Sequence, residues 1–307
     1  MAAMEKTAVI QDDLPWSLES DRAYRAWRER KLDNYAQVLH APAVLIADLA
    51  NPSESERAEL IERCRKTNLA IYRTDPANPD AKAVRRELRS FVDGFGLKIA
   101  ERHRSAGEQG IVALTVTDAE RQRGYIPYSR KAINWHTDGY YNAPDEQIMA
   151  MVLHCVRPAA DGGVSQLMDN EIAYIRLRDR DPALIEALMH PEAMSIPENA
   201  EPDGSLRPVS VGPVFSVDAD GKLAMRYTAR TRSISWRDDA TTRKAAAILQ
   251  SILTGDDPFV LTAKLAAGQG VLCNNVLHNR TAFDPDTDQP SNRLLYRVRF
   301  HNRVEGS

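Results

Sequence analysis

The sequence predicts an α+β fold with a mainly β core, a double-stranded β-helix (jelly roll) carrying flanking and inserted helices. Three observations predict it. From Ile111 onward, short β-rich runs recur between Gly, Pro, Asn and Asp, the pattern of a sandwich or barrel built from many short strands. Before that point, charge-rich amphipathic stretches alternate with short apolar runs, so helices flank a sheet edge. With 43% hydrophobic and 27% charged residues over 307 positions, the chain can bury a substantial core. Residues 1–307 read as one elaborated domain, with a helix-rich N-terminal part over 1–110 and the jelly-roll core over 111–303.

Taken in order, residues 17–38 place Tyr24, Trp27 and Tyr35 among many charges and read as a helix, with Ser17 as its N-cap. Helices are also expected near 53–67 and 81–93, with β-type runs at Ala43–Ile46 and Leu69–Tyr72. The later strands are expected at Ile111–Val116, Gln147–Cys155, Val164–Met168, Val211–Val217, Lys222–Thr228, Phe259–Thr262, Val271–Leu277 and Arg293–His301. Helical stretches interrupt them near 170–189 and 239–254, the second stopping at Gly255. The sequence contains no internal repeat and no low-complexity segment.

The charge pattern narrows the function. Forty basic and 43 acidic residues are interspersed, giving a net charge of −3, so no field gathers phosphate backbones and nucleic acid is not an expected partner. The opening MAAMEKTAVIQDDLPW is too short in apolar residues and too acidic for a signal peptide, and no apolar run is long enough to cross a bilayer. Cys64, Cys155 and Cys273 are odd in number, widely spaced and set in apolar contexts, which reads as buried thiols in a reducing, cytoplasmic setting. A homo-oligomer is left open.

The chemistry concentrates late in the chain. Asn134-Trp135-His136-Thr137-Asp138-Gly139 is expected just before a strand, where residues two apart project to one side, so His136 and Asp138 can chelate one ion. An H-x-D pair alone carries little weight. Three further features change that. Gly270 to His278 reads as a turn and a buried strand that delivers a histidine at its end. The 140 residues between Asp138 and His278 let an early and a late strand face each other across a jelly roll. Arg293, Arg297 and Arg299 line one face of a strand whose other face is Leu294, Tyr296, Val298 and Phe300. A 2-His-1-carboxylate set with an open face suits non-haem Fe(II). Inward arginines need anions, and a dicarboxylate co-substrate needs a guanidinium for its far carboxylate.

These residues resemble the taurine dioxygenase (TauD/TfdA) family, within the clavaminate-synthase-like Fe(II)/2-oxoglutarate oxygenases. Asn134 to Asp138 is similar to that family's iron-binding segment, and Leu277-His278-Asn279-Arg280-Thr281-Ala282-Phe283 to the segment of its second iron histidine. Leu153-His154-Cys155, Gly162 to Ser165 and Asp169 resemble the related γ-butyrobetaine hydroxylases. The likeness covers roughly residues 125–300. It implies iron held by His136, Asp138 and His278, and 2-oxoglutarate held by Ser165 and by Arg293 at its distal carboxylate. Arg297 is expected at the same co-substrate site, meeting substrate or closing the iron site. The resemblance further implies O2 as second co-substrate, with succinate and CO2 released as a C–H bond is oxidised, most simply to an alcohol. Two departures leave the ligand set whole: Asn274-Asn275 stands where relatives commonly have Asp-Asn, and Ser165 where Thr is commoner. Retention of Asp138 argues against a halogenase, in which that carboxylate is missing.

Tyr140 and Tyr141 follow the metal motif, and Met225 to Arg232 supplies a basic, aromatic segment before Trp236. Arg230 and Arg232 are therefore candidates to grip an acidic group of a small anionic or zwitterionic metabolite, with the tyrosines beside it. His154 reads as a core histidine, while His40, His103, His190 and His301 lack partners at ligand spacing. Gly162-Gly163 has neither the Lys-Ser/Thr of a P-loop nor a third glycine. Two other classes stay open at this point. One is a non-oxidative metal-dependent jelly-roll enzyme, indifferent to 2-oxoglutarate; the other is a metal-independent small-ligand binding module.

Overall fold

A computed structural model describes residues 14–19, 21–98, 110–117, 125–200, 204–230, 234–284 and 293–307. Helix α1 (Asp21–Leu39) starts later than expected, because the Ser17 Oγ accepts the Glu19 N–H in a preceding turn instead of capping the helix. Strand β1 (Val44–Ile46) leads to α2 (Glu54–Thr67), which opens on a reciprocal capping box between Ser53 and Glu56. That helix closes on Asn68 at φ 56°, and β2 (Leu69–Thr74) follows directly. In α3 (Ala81–Asp93), capped by Asp80, the buried Val84, Leu88, Phe91 and Val92 recur at three- and four-residue spacing and give one apolar face.

Next come β3 (Val112–Leu114), β4 (Ile133–His136), β5 (Ala150–Arg157) and β6 (Ser165–Met168). The helical stretch expected over 170–189 is two helices, α4 (Asn170–Arg178) and α5 (Pro182–Met189). Pro182 cannot donate into a continuing helix, and Asp181 instead caps the new one by accepting the Ala183 N–H. Short strands β7 (Met194–Ile196), β8 (Asn199–Ala200), β9 (Leu206–Arg207) and β10 (Ser210–Gly212) follow. The single run expected over 211–217 breaks at Pro213, which has no N–H for a ladder, so β11 (Phe215–Val217) is separate and pairs with β12 (Leu223–Met225). After β13 (Ser235–Trp236), α6 (Ala240–Thr254) is capped by Asp239 through the Thr242 N–H.

The last four strands are β14 (Leu261–Ala263), β15 (Gln269–Cys273), β16 (Leu277–Arg280) and β17 (Leu294–Phe300). The strand expected over 271–277 is thus two. At Asn275 the backbone turns through φ 49° and passes from one sheet to the other. The larger sheet has the order β1-β2-β15-β5-β17-β3 and the smaller β14-β6-β16-β4. Every pairing in both is antiparallel except β1 with β2.

Alternation along these strands sorts the core into layers. On β5, β15 and β17, Val152, Leu272, Val298 and Phe300 face Leu60 of α2 and Leu88 and Phe91 of α3. Met151, Cys155, Val271, Cys273 and Leu295 face the other way and meet Leu167 and Val276, so this second cluster is the inside of the two-sheet roll. The outer side of the smaller sheet, with Met168 and Leu277, is covered by α4, α5 and α6. All three cysteines are free and buried. Among the described residues, no helix is long and apolar enough to cross a membrane.

Helix α1 is fixed to the roll by a buried ion cluster. Lys31 Nζ lies 2.5 Å from Asp169 Oδ2 and 2.6 Å from Glu171 Oε2, all three nearly sealed from solvent. Burial works against the ammonium, yet the two carboxylates hold its pKa above the ordinary lysine value. Asn68 Nδ2 also donates to Asp169 (3.0 Å), tying in the end of α2. Lys31→Met is expected to lower stability by roughly 3–5 kcal/mol, because it strands two buried carboxylates. Chemical denaturation checks this. A loss below about 1 kcal/mol would mean that the carboxylates reprotonate at little cost, leaving the lysine minor.

Candidate metal centre

Strand β4 ends at His136, so the metal motif straddles the end of a strand, whereas the sequence suggested a place just before one. His136 pairs across the ladder with His278 at the start of β16, and the two rings lie 4.2 Å apart between centroids. Asp138 follows in the turn after β4. The residues His136, Asp138 and His278 each offer a ligand atom within 4.8 Å of the others, which makes them the one such cluster among the described residues.

The protonation pattern follows from the backbone. His136 Nδ1 is 2.9 Å from the Asn134 carbonyl, and His278 Nδ1 is 2.9 Å from that of Val276. A carbonyl oxygen only accepts, so both Nδ1 atoms carry the proton and both Nε2 atoms present lone pairs, the arrangement that supported metal ligands use. Burial, and then the second imidazole, pushes the His136 pKa down to about 3; burial also lowers that of His278. Both rings are therefore neutral at physiological pH. Burial alone would raise the Asp138 pKa, but the Arg297 and Arg299 guanidiniums hold it well below the usual carboxylate range. Asp138 Oδ1 accepts from Arg297 Nη1 at 2.9 Å and from Arg299 Nη1 at 3.5 Å, while the buried Oδ2 has no hydrogen-bond partner. An ionised oxygen left bare beside two neutral imidazoles fits a divalent cation, and nitrogen–oxygen donors of this type suit ferrous iron.

The arginines divide as the strand alternates. Arg297, opposite Leu153 of β5, and Arg299, opposite Met151, both face the inside of the roll. Arg299 also donates to the Tyr141 hydroxyl at 3.1 Å. A register shift between Leu294 and Leu295 separates Arg293 from this pair. Arg293 lies over the Phe283 ring (5.1 Å), against Gly163, with Arg280 over the same ring at 4.9 Å. Burial lowers the pKa of Arg293, and it pushes Arg280, with Arg293 adding to it, down to about 10. No described carboxylate pairs with Arg293. Ser165 begins β6 opposite Arg280, on the same side of the strand as the inward Leu167. Gly162 at φ 66° makes this approach feasible: a Cβ there would meet the Ala282 carbonyl oxygen at 2.2 Å.

Of the residues expected at the substrate, Tyr140 sits edge-on to His136 at 6.4 Å and edge-on to Tyr141 at 5.2 Å. Arg230 Nη1 reaches the Tyr140 hydroxyl at 3.4 Å, and Arg207 lies over the Tyr141 ring at 5.7 Å. Arg232 lies outside the described residues. Within the basic segment, Arg226 has a different task. It is buried and donates to the carbonyls of Tyr140, Met194 and Gly212 and to the Ser210 hydroxyl, which braces the back of the metal turn. The sequence reading missed Arg207, whose β9 carries no motif, and gave Arg299 no role at the site because only tertiary structure brings it to Asp138.

The family model described as "Taurine catabolism dioxygenase TauD, TfdA family" matches residues 30–299. The chain belongs to this family. Two curated relatives are named uridine-5'-phosphate dioxygenase. One, from an Amycolatopsis species, is 33% identical over 170 residues, covering 53% of this chain and 60% of its own length. The other, from a Streptomyces species, is 27% identical over 267 residues, covering 82% of this chain and 90% of its own. Among solved structures, the fold is similar to that of the non-heme iron oxygenase OrfP in complex with Fe, succinate and (3S)-hydroxy-L-Arg, with a TM-score of 0.60, 16% identity and coverage of 82% and 81% of the two chains. The double-stranded β-helix is thus shared with this TauD/TfdA chain at low identity.

Proposed function

We propose that the protein is an Fe(II)- and 2-oxoglutarate-dependent dioxygenase that hydroxylates a C–H bond of a small anionic metabolite, releasing succinate and CO2. The observation that carries this reading is the set of His136, Asp138 and His278, with two free Nε2 lone pairs and the orphaned Oδ2 gathered at one point. Ferrous iron bound there supplies the oxidising chemistry. The chain's own residues orient and enclose. Ser165 and Arg293 hold 2-oxoglutarate, Arg293 taking the distal carboxylate, and Arg297 keeps Asp138 in place at the junction of co-substrate and substrate. The whole chain, 1–307, acts as one domain in the cytoplasm.

The substrate class that the two relatives suggest is a nucleoside 5'-phosphate. Tyr140, Tyr141 and Arg207 give aromatic and cationic faces for a base, and Arg230, with Arg232, gives a grip for the phosphate. The test is a panel of uridine 5'-phosphate, other nucleoside 5'-monophosphates, uridine, asparagine and arginine, each incubated with enzyme, Fe(II), 2-oxoglutarate and air. Succinate above the substrate-free level, paired with a mass change in the compound, is expected from the phosphorylated nucleosides and not from uridine. Succinate release driven equally by uridine would remove the phosphate from recognition. A panel with no stimulation would reject the substrate class.

A further inference from the structure

Asp138 and His278 are 140 residues apart in sequence, and the side chain of Asn275, just before His278, bonds the backbone of Asp138. Asn275 Oδ1 accepts the Asp138 N–H at 2.8 Å, and Asn275 Nδ2 donates to the Asp138 carbonyl at 3.0 Å and to the Ile148 carbonyl at 2.7 Å. All the side-chain polar atoms of Asn275 are thereby used, at 3% exposure. Its own backbone is fixed at φ 49° in the turn between β15 and β16, three residues before His278. Asn170 braces the turn from behind, donating to the Asn275 carbonyl (3.2 Å) and accepting the Leu277 N–H (3.0 Å). On the other side, Gly139 at φ 65° sits so close to Ile148 that an added Cβ would come within 2.4 Å of its Cγ1.

We infer that Asn275 is a positioning residue: it clamps the peptide groups on both sides of the Asp138 Cα and so sets the carboxylate ligand against His278. The inference rests on the reading of His136, Asp138 and His278 as metal ligands. Its physical basis is selectivity of contact. The Arg297 and Arg299 guanidiniums fix the Asp138 carboxylate by charge, whereas Asn275 fixes the backbone from which that carboxylate projects, and it does so from the turn that leads into β16, the strand of His278. A backbone clamp of this kind acts before any ion arrives, so its loss spreads Asp138 over orientations that the metal must then restrict.

The neighbouring Asn274 supplies the control. It is equally buried, and its side chain binds Asn68, Ser307 and the Val304 N–H, with none of these bonds reaching the metal motif. Asn275→Gly keeps the positive φ and removes all three clamping bonds; Asn274→Ala removes a similar number elsewhere. Co(II) affinity, read anaerobically from visible absorption, and melting temperature without metal are measured for both variants, for wild type and for His278→Ala. Asn275→Gly is expected to bind Co(II) about 10- to 100-fold more weakly, the range typical of removing a supporting partner of a metal ligand. Asn274→Ala is expected to melt earlier with wild-type affinity. Equal affinity in wild type and Asn275→Gly overturns the inference while leaving the triad intact, as does a loss shared in proportion to melting temperature by both variants. Absence of binding by wild type, or full binding by His278→Ala, removes the triad and the inference together. If Asn275→Gly does not fold, Asn275→Asp gives the same reading, since it keeps the shape and the acceptor but loses both donated bonds: weaker binding supports the clamp and unchanged binding rejects it.

Discussion

His278→Ala is expected to abolish the visible band that forms when Fe(II) and 2-oxoglutarate are added anaerobically to the wild-type protein, and to abolish substrate-dependent succinate formation with it. His136, Asp138 and His278 would together hold the iron, and no other described cluster of His, Cys, Asp or Glu stands near enough to replace a lost donor. Loss of a partner that only supports a ligand costs about 10- to 100-fold in metal affinity, so loss of a ligand itself is expected to cost more. The fold should remain. The His278 imidazole is partly exposed at the start of β16 and makes one hydrogen bond, to a backbone carbonyl two residues away. A thermal scan separates the two effects: wild type should gain about 2.7 kcal/mol of stability at metal concentrations a hundred times its Kd, and His278→Ala should gain nothing at the same concentration. A variant that keeps both the band and the thermal gain would show that the metal is held elsewhere.

How much of this was legible beforehand depends on whether the information is local. The fold class and most elements were, because helical and strand patterning are written within a few residues: the helices expected over 53–67, 81–93 and 239–254 are α2, α3 and α6, whereas Ser17, read as a cap, closes a turn before α1 instead. The failures sit where a single proline or asparagine overrides a longer apolar pattern. Pro182 divides α4 from α5, Pro213 divides β10 from β11, and Asn275 carries the chain between sheets. The candidate ligands were legible because their residue types are rare in apolar strands. The contacts of Asp138 with Arg297, Arg299 and Asn275 were not, since each joins segments at least 137 residues apart and depends on sheet register alone. A strand bearing Arg297 and Arg299 announces that an anion is needed but not that the Asp138 carboxylate supplies part of it.

That distinction decides what the arginine variants should do. Arg297 already has a partner in Asp138, whereas Arg293 is 8% exposed, lies over Phe283 and has no described carboxylate. A buried guanidinium without an anion is costly, and the anion that completes it is expected to be the distal carboxylate of 2-oxoglutarate, entering beside Gly163 and Ser165. Arg293→Ala should therefore raise the 2-oxoglutarate concentration required by an amount matching a lost charge-assisted contact, roughly 1.5–3 kcal/mol or about 10- to 150-fold, without loss of folding stability. Arg297→Ala should act on the other end. With its main guanidinium gone, Asp138 Oδ1 keeps only the longer contact to Arg299, so metal affinity and the coupling of succinate release to product should fall while 2-oxoglutarate affinity stays close to wild type. Titrating 2-oxoglutarate into each iron-loaded variant and following the visible band decides between them. Wild-type affinity in Arg293→Ala with a defect confined to Arg297→Ala would exchange the two roles, placing the distal carboxylate beside Asp138 and leaving the Arg293–Phe283 stack as a structural feature of the β16 exit.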